Sequence, residues 1–234
     1  MPDLSLLKAV IFDLDGTLYR QGPLRRAMLF RLLRAYATRP LLGLRTVRVL
    51  AAYRNAQEHL RTAATADDLA EAQIQLACER TRADRPFVAE CVERWMEREP
   101  LGFLKRFLRP GLVDFLQVCK AHGLRFGVLS DYPAEAKLQA LGLAGVFDAV
   151  VCSRSLEIGF FKPHPLGLVT TLRRLGTRAA ETLYVGDRPE VDAAAAQAAG
   201  MPCAILSHRP RAAGEVPWME IAGFTHLHEA LWRG

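Results

Sequence analysis

The chain has 234 residues, half of them hydrophobic and 24% charged, a composition that excludes a disordered or fibrous protein and suits one domain with an insert or two small domains. No run approaches the roughly twenty apolar residues of a membrane span, and the first apolar stretch lacks a basic start and runs straight into Asp13 and Asp15, so no secretory signal is read and a cytoplasmic protein is expected. The net charge of +6 comes from an arginine excess concentrated between Arg20 and Arg54, where no Asp or Glu occurs.

Such a basic segment could attract nucleic acid, an acidic membrane or a phosphorylated substrate. Its arginines are interleaved with leucines and form no block, which favours a solvated helix face. No nucleic-acid partner is expected, and membrane contact is the lesser alternative. The five cysteines are scattered, odd in number and without a CxxC pair, which excludes a disulfide framework or structural zinc site and leaves them as core residues.

In chain order, Leu7 to Phe12 is a short apolar run with Val and Ile, followed by Gly16, and reads as a buried strand. Residues 20 to about 105 read as helical throughout. Leu29, Leu32, Leu33 and Tyr36 keep helical spacing, as do Val88, Cys91, Val92 and Trp95. Thr65-Ala66-Asp67-Asp68 before Leu69 resembles a capping box with Asp in place of Glu. Pro40, Gly43 and Pro86 punctuate the region, which holds no convincing strand.

From about residue 106 the pattern alternates. Helices are expected over 111–122, 134–141, 166–175 and 190–199, and strands over 124–129, 149–152, 182–185 and 203–206. Short apolar strands alternating with helices predict an α/β fold: a Rossmann-like parallel sheet covered by helices on both faces, with right-handed crossovers. The expected division is a discontinuous core, residues 1–20 and 106–234, and an inserted all-helical cap, residues 21–105.

Ligands of open α/β sheets bind beyond the carboxyl ends of the strands. Asp13 and Asp15 follow the first strand, Ser130 and Asp131 the second, Lys162 lies beyond the third, and Asp187 follows the fourth with Asp192 five residues on. This set suits a hard cation together with an anion. The spacing of Asp13 and Asp15 puts both on one face of an extended chain, where mutual repulsion favours one ionised nucleophile and one proton carrier. Asp187 adds charge that Mg²⁺ could balance, and Lys162 and Ser130 could hold phosphoryl oxygens. Singly, each admits a plainer account: a turn at Asp13–Thr17, a strand-end hydroxyl, a surface lysine, or acids favouring a helix N-terminus. Their order and placement at successive strand ends argue against all of these at once.

At these residues the sequence closely resembles the haloacid dehalogenase superfamily. Asp13-Leu14-Asp15-Gly16-Thr17 stands as its first motif, Val128-Leu129-Ser130-Asp131 as its second, Phe161-Lys162-Pro163-His164-Pro165 as its third, and Gly186-Asp187 through Asp192 as its fourth. Arg109-Pro110-Gly111 and Glu157-Ile158-Gly159 are familiar flanks. The resemblance covers residues 1–20 and about 106–234; the insert resembles the family's helical cap in position and texture only. It implies a phosphatase acting on a small phosphorylated metabolite. Asp13 would form an aspartyl-phosphate, and Asp15 would protonate the leaving group and then activate water. Asp13, the backbone carbonyl of Asp15 and Asp187 would bind Mg²⁺. Gly16, Ser130, Asp131 and Lys162 would meet the phosphoryl group, and Asp192 would stand behind them. Tyr19-Arg20 and His164 depart from the common pattern, and Arg20 and Arg25 are candidates to meet a second anionic group.

Dehalogenation fits poorly, because relatives that displace halide typically lack the second aspartate and need no metal. Phosphonate hydrolysis requires a cap lysine, and none occurs from Arg20 to Leu104. A phosphomutase shares the motifs and remains the alternative. A binding protein that kept the fold is disfavoured by the intact residue set.

Overall fold

The computed structural model describes residues 6–62, 68–207, 210 and 217–232. Six parallel strands form one sheet in the order β3-β2-β1-β4-β5-β6. They are β1 (Ala9–Phe12), β2 (Arg125–Ser130), β3 (Ala149–Cys152), β4 (Thr182–Gly186), β5 (Cys203–Leu206) and β6 (Met219–Ile221). Strand β1 is central, paired in register with β2 through Phe12–Val128 and with β4 through Phe12–Val185.

The strands are apolar at nearly every position because both faces are covered. Side chains alternate across a strand, and the two cores record that alternation. Val10 and Phe12 of β1, Phe126 and Val128 of β2, and Leu183 and Val185 of β4 enter one core, against Leu112, Phe115, Leu138, Phe224 and Leu227. Ala9, Ile11, Leu129 and Tyr184 enter the other, against Leu168, Leu172 and Leu175. Helices α6 (Leu112–Ala121), α7 (Glu135–Leu141) and α10 (Phe224–Trp232) therefore cover the first face, and α8 (Leu166–Leu175) and α9 (Ala194–Ala198) the second. The expected α/β sheet with helices on both faces is the observed architecture.

Between β1 and α6 the chain is helical: α1 (Gln21–Ala35), α2 (Pro40–Thr62), α3 (Leu69–Thr81), α4 (Arg85–Val92), a π-helical stretch Glu93–Arg98, and α5 (Leu101–Leu104). Leu32, Val49, Tyr53, Ala77, Val88 and Trp95 form their shared core. Gly43 lies inside α2, where a Cβ would approach the Tyr36 Cβ to 2.8 Å, so its absence lets α1 and α2 fold back on each other. An isolated antiparallel bridge joins Tyr19 to Leu108, so the chain leaves the sheet layer and returns to it at one point. No helix among the described residues is long and apolar enough to cross a membrane.

Several local expectations change. Asp68 is the N-cap of α3, its side chain accepting from the Ala70 and Glu71 amides, not the fourth residue of a box begun at Thr65; Thr65 lies outside the described residues. Periodicity marked Leu29, Leu32 and Leu33 as one apolar face, yet only Leu32 is buried and Leu29 and Leu33 are 53% and 60% exposed. The helix expected over 190–199 begins as a π-helical turn, Pro189–Ala193. Strand β6 and helix α10 were not read from the sequence. Ser130 closes β2, and does not follow it.

Gly127 sits where α8 crosses the sheet. A Cβ there would lie 2.7 Å from Thr171 Cγ2, 3.1 Å from Ile11 and 3.2 Å from Leu175. Overpacking of this kind costs about 1–3 kcal/mol. Gly127→Ala is expected to lower the unfolding free energy by that amount in a urea titration, with the denaturant slope unchanged.

Candidate active site

The strand order reverses direction between β1 and β4, and a crevice opens beyond their carboxyl ends at such a point. Asp13 follows β1 there, its amide donating to Val185 O at 2.8 Å, and Asp187 follows β4. The turn between them is tight. Gly16 has φ +112°, and a Cβ on it would run into the Asp187 carboxylate, so only glycine fits. Arg109 clamps this turn from the start of the α6 segment, donating to the carbonyls of Gly16 and Thr17. Gly186 has no room for a Cβ either, because the Asp192 side chain lies against it.

Lys162 is at the centre. It is 3% exposed, and its ammonium donates to Asp13 Oδ1 at 2.5 Å, Asp192 Oδ1 at 2.7 Å and Tyr184 Oη at 3.2 Å. Asp13 Oδ2 accepts from Thr17 Oγ1 at 2.9 Å. The Asp192 carboxylate is fully engaged, accepting also from Tyr184 Oη at 2.8 Å and from the amides of Asp187 and Arg188 at 3.1 and 3.0 Å. Asp187 makes no side-chain hydrogen bond among the described residues, and it faces the cavity.

Three carboxylates around one ammonium leave negative charge uncompensated, and their ionisation reflects it. Burial pushes the Asp13 carboxyl well above the usual range, and Asp192 and Asp187 push the same way against Lys162. Burial and the Asp192 charge raise Asp187 to about 6, against Lys162, Arg109 and Arg188. For Asp192, burial is outweighed by Lys162, by the Arg188 amide and by Tyr184, which hold it below the usual range. Burial disfavours the Lys162 ammonium, but Asp13 and Asp192 reverse that and raise it.

Asp15 belongs to a different group. Its carboxylate accepts two 2.7 Å bonds from Lys137 of α7 and one from the Tyr19 hydroxyl. Burial would raise its pKa, but Lys137 and then Tyr19 overcome this and hold it below the usual carboxylate range.

One carboxylate oxygen each from Asp13, Asp187 and Asp192 lies within 4.8 Å of the others. The donors are all hard carboxylate oxygens, one of them on a carboxylate with no hydrogen-bond partner, and they fit a hard divalent cation. The four donors on Asp192 make it the group that orients Asp187 and Lys162, and leave Asp13 and Asp187 as the available ligands. The Asp15 side chain is turned to Lys137 and stands outside this carboxylate group.

The cavity above these groups is about 490 Å³. Asp13, Asp15, Asp131, Lys162, Asp187 and Asp192 line it. Ser130 does not; its hydroxyl is buried and accepts from the Tyr132 amide at 3.3 Å. Nor does Arg20, whose side chain is exposed at the N-cap of α1. Of the two arginines expected there, Arg25 lines the cavity, and Arg54, Arg61 and Arg188 line it with Arg25. Asp131 was expected to meet phosphate, but its carboxylate is bound by Arg61 Nη2 at 2.6 Å and Gln57 Nε2 at 3.1 Å, both from α2. Arg61 also donates to Lys162 O, and Arg188 pairs with Glu58 at 3.0 Å.

Lys137, Tyr184, Gln57 and Arg61 were missed in the sequence. Lys137 had a signal: it is one of only five lysines. Arg61 had none, since it is one arginine among 26.

Together the sheet and its crevice define a Rossmann-like α/β enzyme with a helical insertion after the first strand. The family model for haloacid dehalogenase-like hydrolases matches residues 7–200, and the chain belongs to that family. It is 35% identical over 216 residues to a phosphoglycolate phosphatase of Rhodospirillum rubrum, covering 86% of this chain and 80% of that one. It is 31% identical over 202 residues to a glyceraldehyde 3-phosphate phosphatase of Methanopyrus kandleri, covering 84% and 82%. Within the family it stands with the phosphoric monoester hydrolases. Its fold is shared by a HAD phosphatase from Thermococcus onnurineus (TM-score 0.64, 22% identity, 97% and 98% covered) and by L-2-haloacid dehalogenase from Xanthobacter autotrophicus (0.68, 21%, 97% and 99%).

The Arg61–Asp131 pair is nearly dry, with side-chain exposures of 7% and 9%. Removing one partner of such a pair leaves a buried charge uncompensated and costs about 3–5 kcal/mol. Arg61→Met is expected to lower stability by about 3 kcal/mol, and Arg61→Lys to recover only part because it cannot reproduce the guanidinium fork; chemical denaturation of the three proteins checks this.

Proposed function

We propose that the protein is a Mg²⁺-dependent phosphatase that hydrolyses a phosphate monoester of a small molecule through an aspartyl-phosphate on Asp13. The observation that carries this is the buried Lys162 ammonium on Asp13 Oδ1 with the unbonded Asp187 carboxylate beside it. A carboxylate nucleophile needs an oxygen presented to phosphorus and a cation to receive the phosphoryl charge, and both lie at one point.

In this reading Asp13 and Asp187 hold Mg²⁺, with the Asp15 carbonyl. When bound, the ion supplies charge neutralisation for the phosphoryl oxygens. A carboxylate oxygen of Asp13 attacks phosphorus as the bond to the ester oxygen breaks. Asp15 gives its proton to the departing alkoxide. It then takes a proton from water, whose oxygen attacks phosphorus and releases inorganic phosphate with Asp13 regenerated. Lys162 holds phosphoryl oxygens, and Ser130 joins it once its hydroxyl turns from the Tyr132 amide. Asp192 and Tyr184 fix Lys162, and residues 21–105 act as a cap over the core formed by 1–20 and 106–234, excluding water from the intermediate. The names of the relatives make a phosphorylated two-carbon acid and a triose phosphate the first substrates to try.

Asp13→Asn is expected to reduce phosphate release at least about a thousandfold, with a native far-UV circular dichroism spectrum, and EDTA to abolish wild-type release until Mg²⁺ is restored. Substantial turnover by Asp13→Asn sinks the nucleophile assignment.

The Lys137 pair gives a pH signature. The first half-reaction needs Asp15 protonated, so its rate falls as pH rises through the Asp15 pKa. Lys137 lowers that pKa. Lys137→Met therefore raises it and is expected to move the alkaline limb of kcat/KM to higher pH; an unmoved limb rejects the proton-donor role of Asp15.

A further inference from the structure

The cavity over Asp13 is larger and more apolar than a phosphorylated two- or three-carbon acid requires. Its core side is polar, but Leu24, Met28 and Leu32 line it from successive turns of α1, and Leu50 and Trp95 line it as well. A small polar ester held at Lys162 would not reach along these walls and would gain nothing from them. Two further lining residues, Leu29 and Val47, are 53% and 38% exposed and mark where the cavity reaches the surface.

The two helices that carry Leu29 and Val47, α1 and α2, expose further apolar side chains. Phe30, Leu33, Leu41 and Leu44 are 71%, 60%, 83% and 57% exposed. Among the described residues, six of the ten large hydrophobics that stand exposed fall between Leu29 and Val47. Isolated exposed leucines need no explanation, but a concentration on one helical hairpin marks a binding surface. The same stretch, Arg20 to Arg54, carries nine arginines and no acid, a charge balance suited to an anionic amphiphile or the surface that holds one.

We propose that the substrate is the phosphate monoester of an amphiphile. Its phosphoryl group sits at Lys162, and its apolar chain runs along Leu24, Met28 and Leu32 and leaves between Leu29 and Val47. This rests on the phosphatase reading and names the substrate class for it. Each methylene that such walls remove from water strengthens binding by roughly fourfold. Amphiphiles of this chemistry occur dissolved and in membranes, and both would use the same path.

The test is calorimetric titration of the Asp13→Asn protein, with Mg²⁺, against ethyl, hexyl and octyl phosphate as monomers and against 2-phosphoglycolate. Hexyl phosphate is expected to bind at least about tenfold more tightly than ethyl phosphate, and Leu29→Asp, added to the same protein, to shrink the octyl-to-ethyl ratio. Affinity independent of chain length, or tightest for 2-phosphoglycolate, overturns the proposal. Phosphate release from the same esters by the wild-type protein is read separately. No release from any of them would sink the phosphatase reading, while the chain-length series still decides whether the cavity takes an amphiphile. Two arms identify the source: octyl phosphate in buffer, and dodecyl phosphate in phosphatidylglycerol vesicles. Faster turnover from vesicles that is lost at high salt assigns the substrate to a membrane, and equal rates assign it to solution; both outcomes support an amphiphile.

Discussion

One buried ammonium organises this molecule's catalytic edge. Lys162 is almost without solvent, and an uncompensated charge in that position would cost several kcal/mol. It is tolerated because Asp13 and Asp192 accept from it at 2.5 and 2.7 Å. Those acids come from the ends of β1 and β4, while Lys162 arrives from the loop beyond β3. The ion group therefore ties loops from distinct parts of the sheet to one point. The reverse also holds: the lysine offsets the repulsion among three carboxylates, and even with it burial and the Asp192 charge raise Asp187 to about 6. The remaining negative charge is what makes the place receptive to a cation.

The sheet beneath supplies the rigidity this requires. Phe12 is fully buried, with Phe115 and Phe126 each at a centroid distance of 6.3 Å from its ring, and the next residue is Asp13. Aromatic packing and ladder pairing on both sides thus hold the backbone just before the Asp13 carboxylate. Tyr184 does two jobs. Its ring lies in the opposite core and its hydroxyl bonds Asp192, so a core residue of β4 also orients the carboxylate that holds Lys162.

Sequence reading reached the parts of this arrangement that depend on order along the chain. Alternating apolar strands and helices gave the parallel sheet, because a strand buried on both faces must be apolar throughout. Strand ends gave Asp13, Lys162, Asp187 and Asp192. It failed where the partner is set by folding in space. Nothing about Arg61 among 26 arginines marks it as the one that meets Asp131. Periodicity identified the apolar residues of α1 but could not tell which of its neighbouring faces meets protein, cavity or solvent; Leu32 and Leu33 differ by one position and are 5% and 60% exposed. Strand β6 was missed because a three-residue segment, Met219–Ile221, carries no period to detect. Arg20 and Arg25 had equal claims in the sequence, and only the turn of α1 on which each stands decides that Arg25 lines the cavity and Arg20 does not.

The placement of Arg61 has a consequence for how the site opens. Gln57, Glu58 and Arg61 form the last turns of α2, and together they hold Asp131, Arg188 and the Lys162 carbonyl. Val47, Leu50 and Ala51 of the same helix line the cavity. Helix α2 is thus both wall and latch. Lifting it would separate the Arg61–Asp131 pair, and that cost is moderated only if water reaches both groups as they part. A substrate that fills the cavity favours the closed form by the contacts it makes to Val47 and Leu50. Those contacts lie several helical turns from Lys162, so an organic group too short to reach them contributes nothing to closure. The latch at the C-terminal end of α2 and the apolar wall at its N-terminal half would then act as one element, with chain length in the substrate setting how firmly the helix stays shut over Asp13.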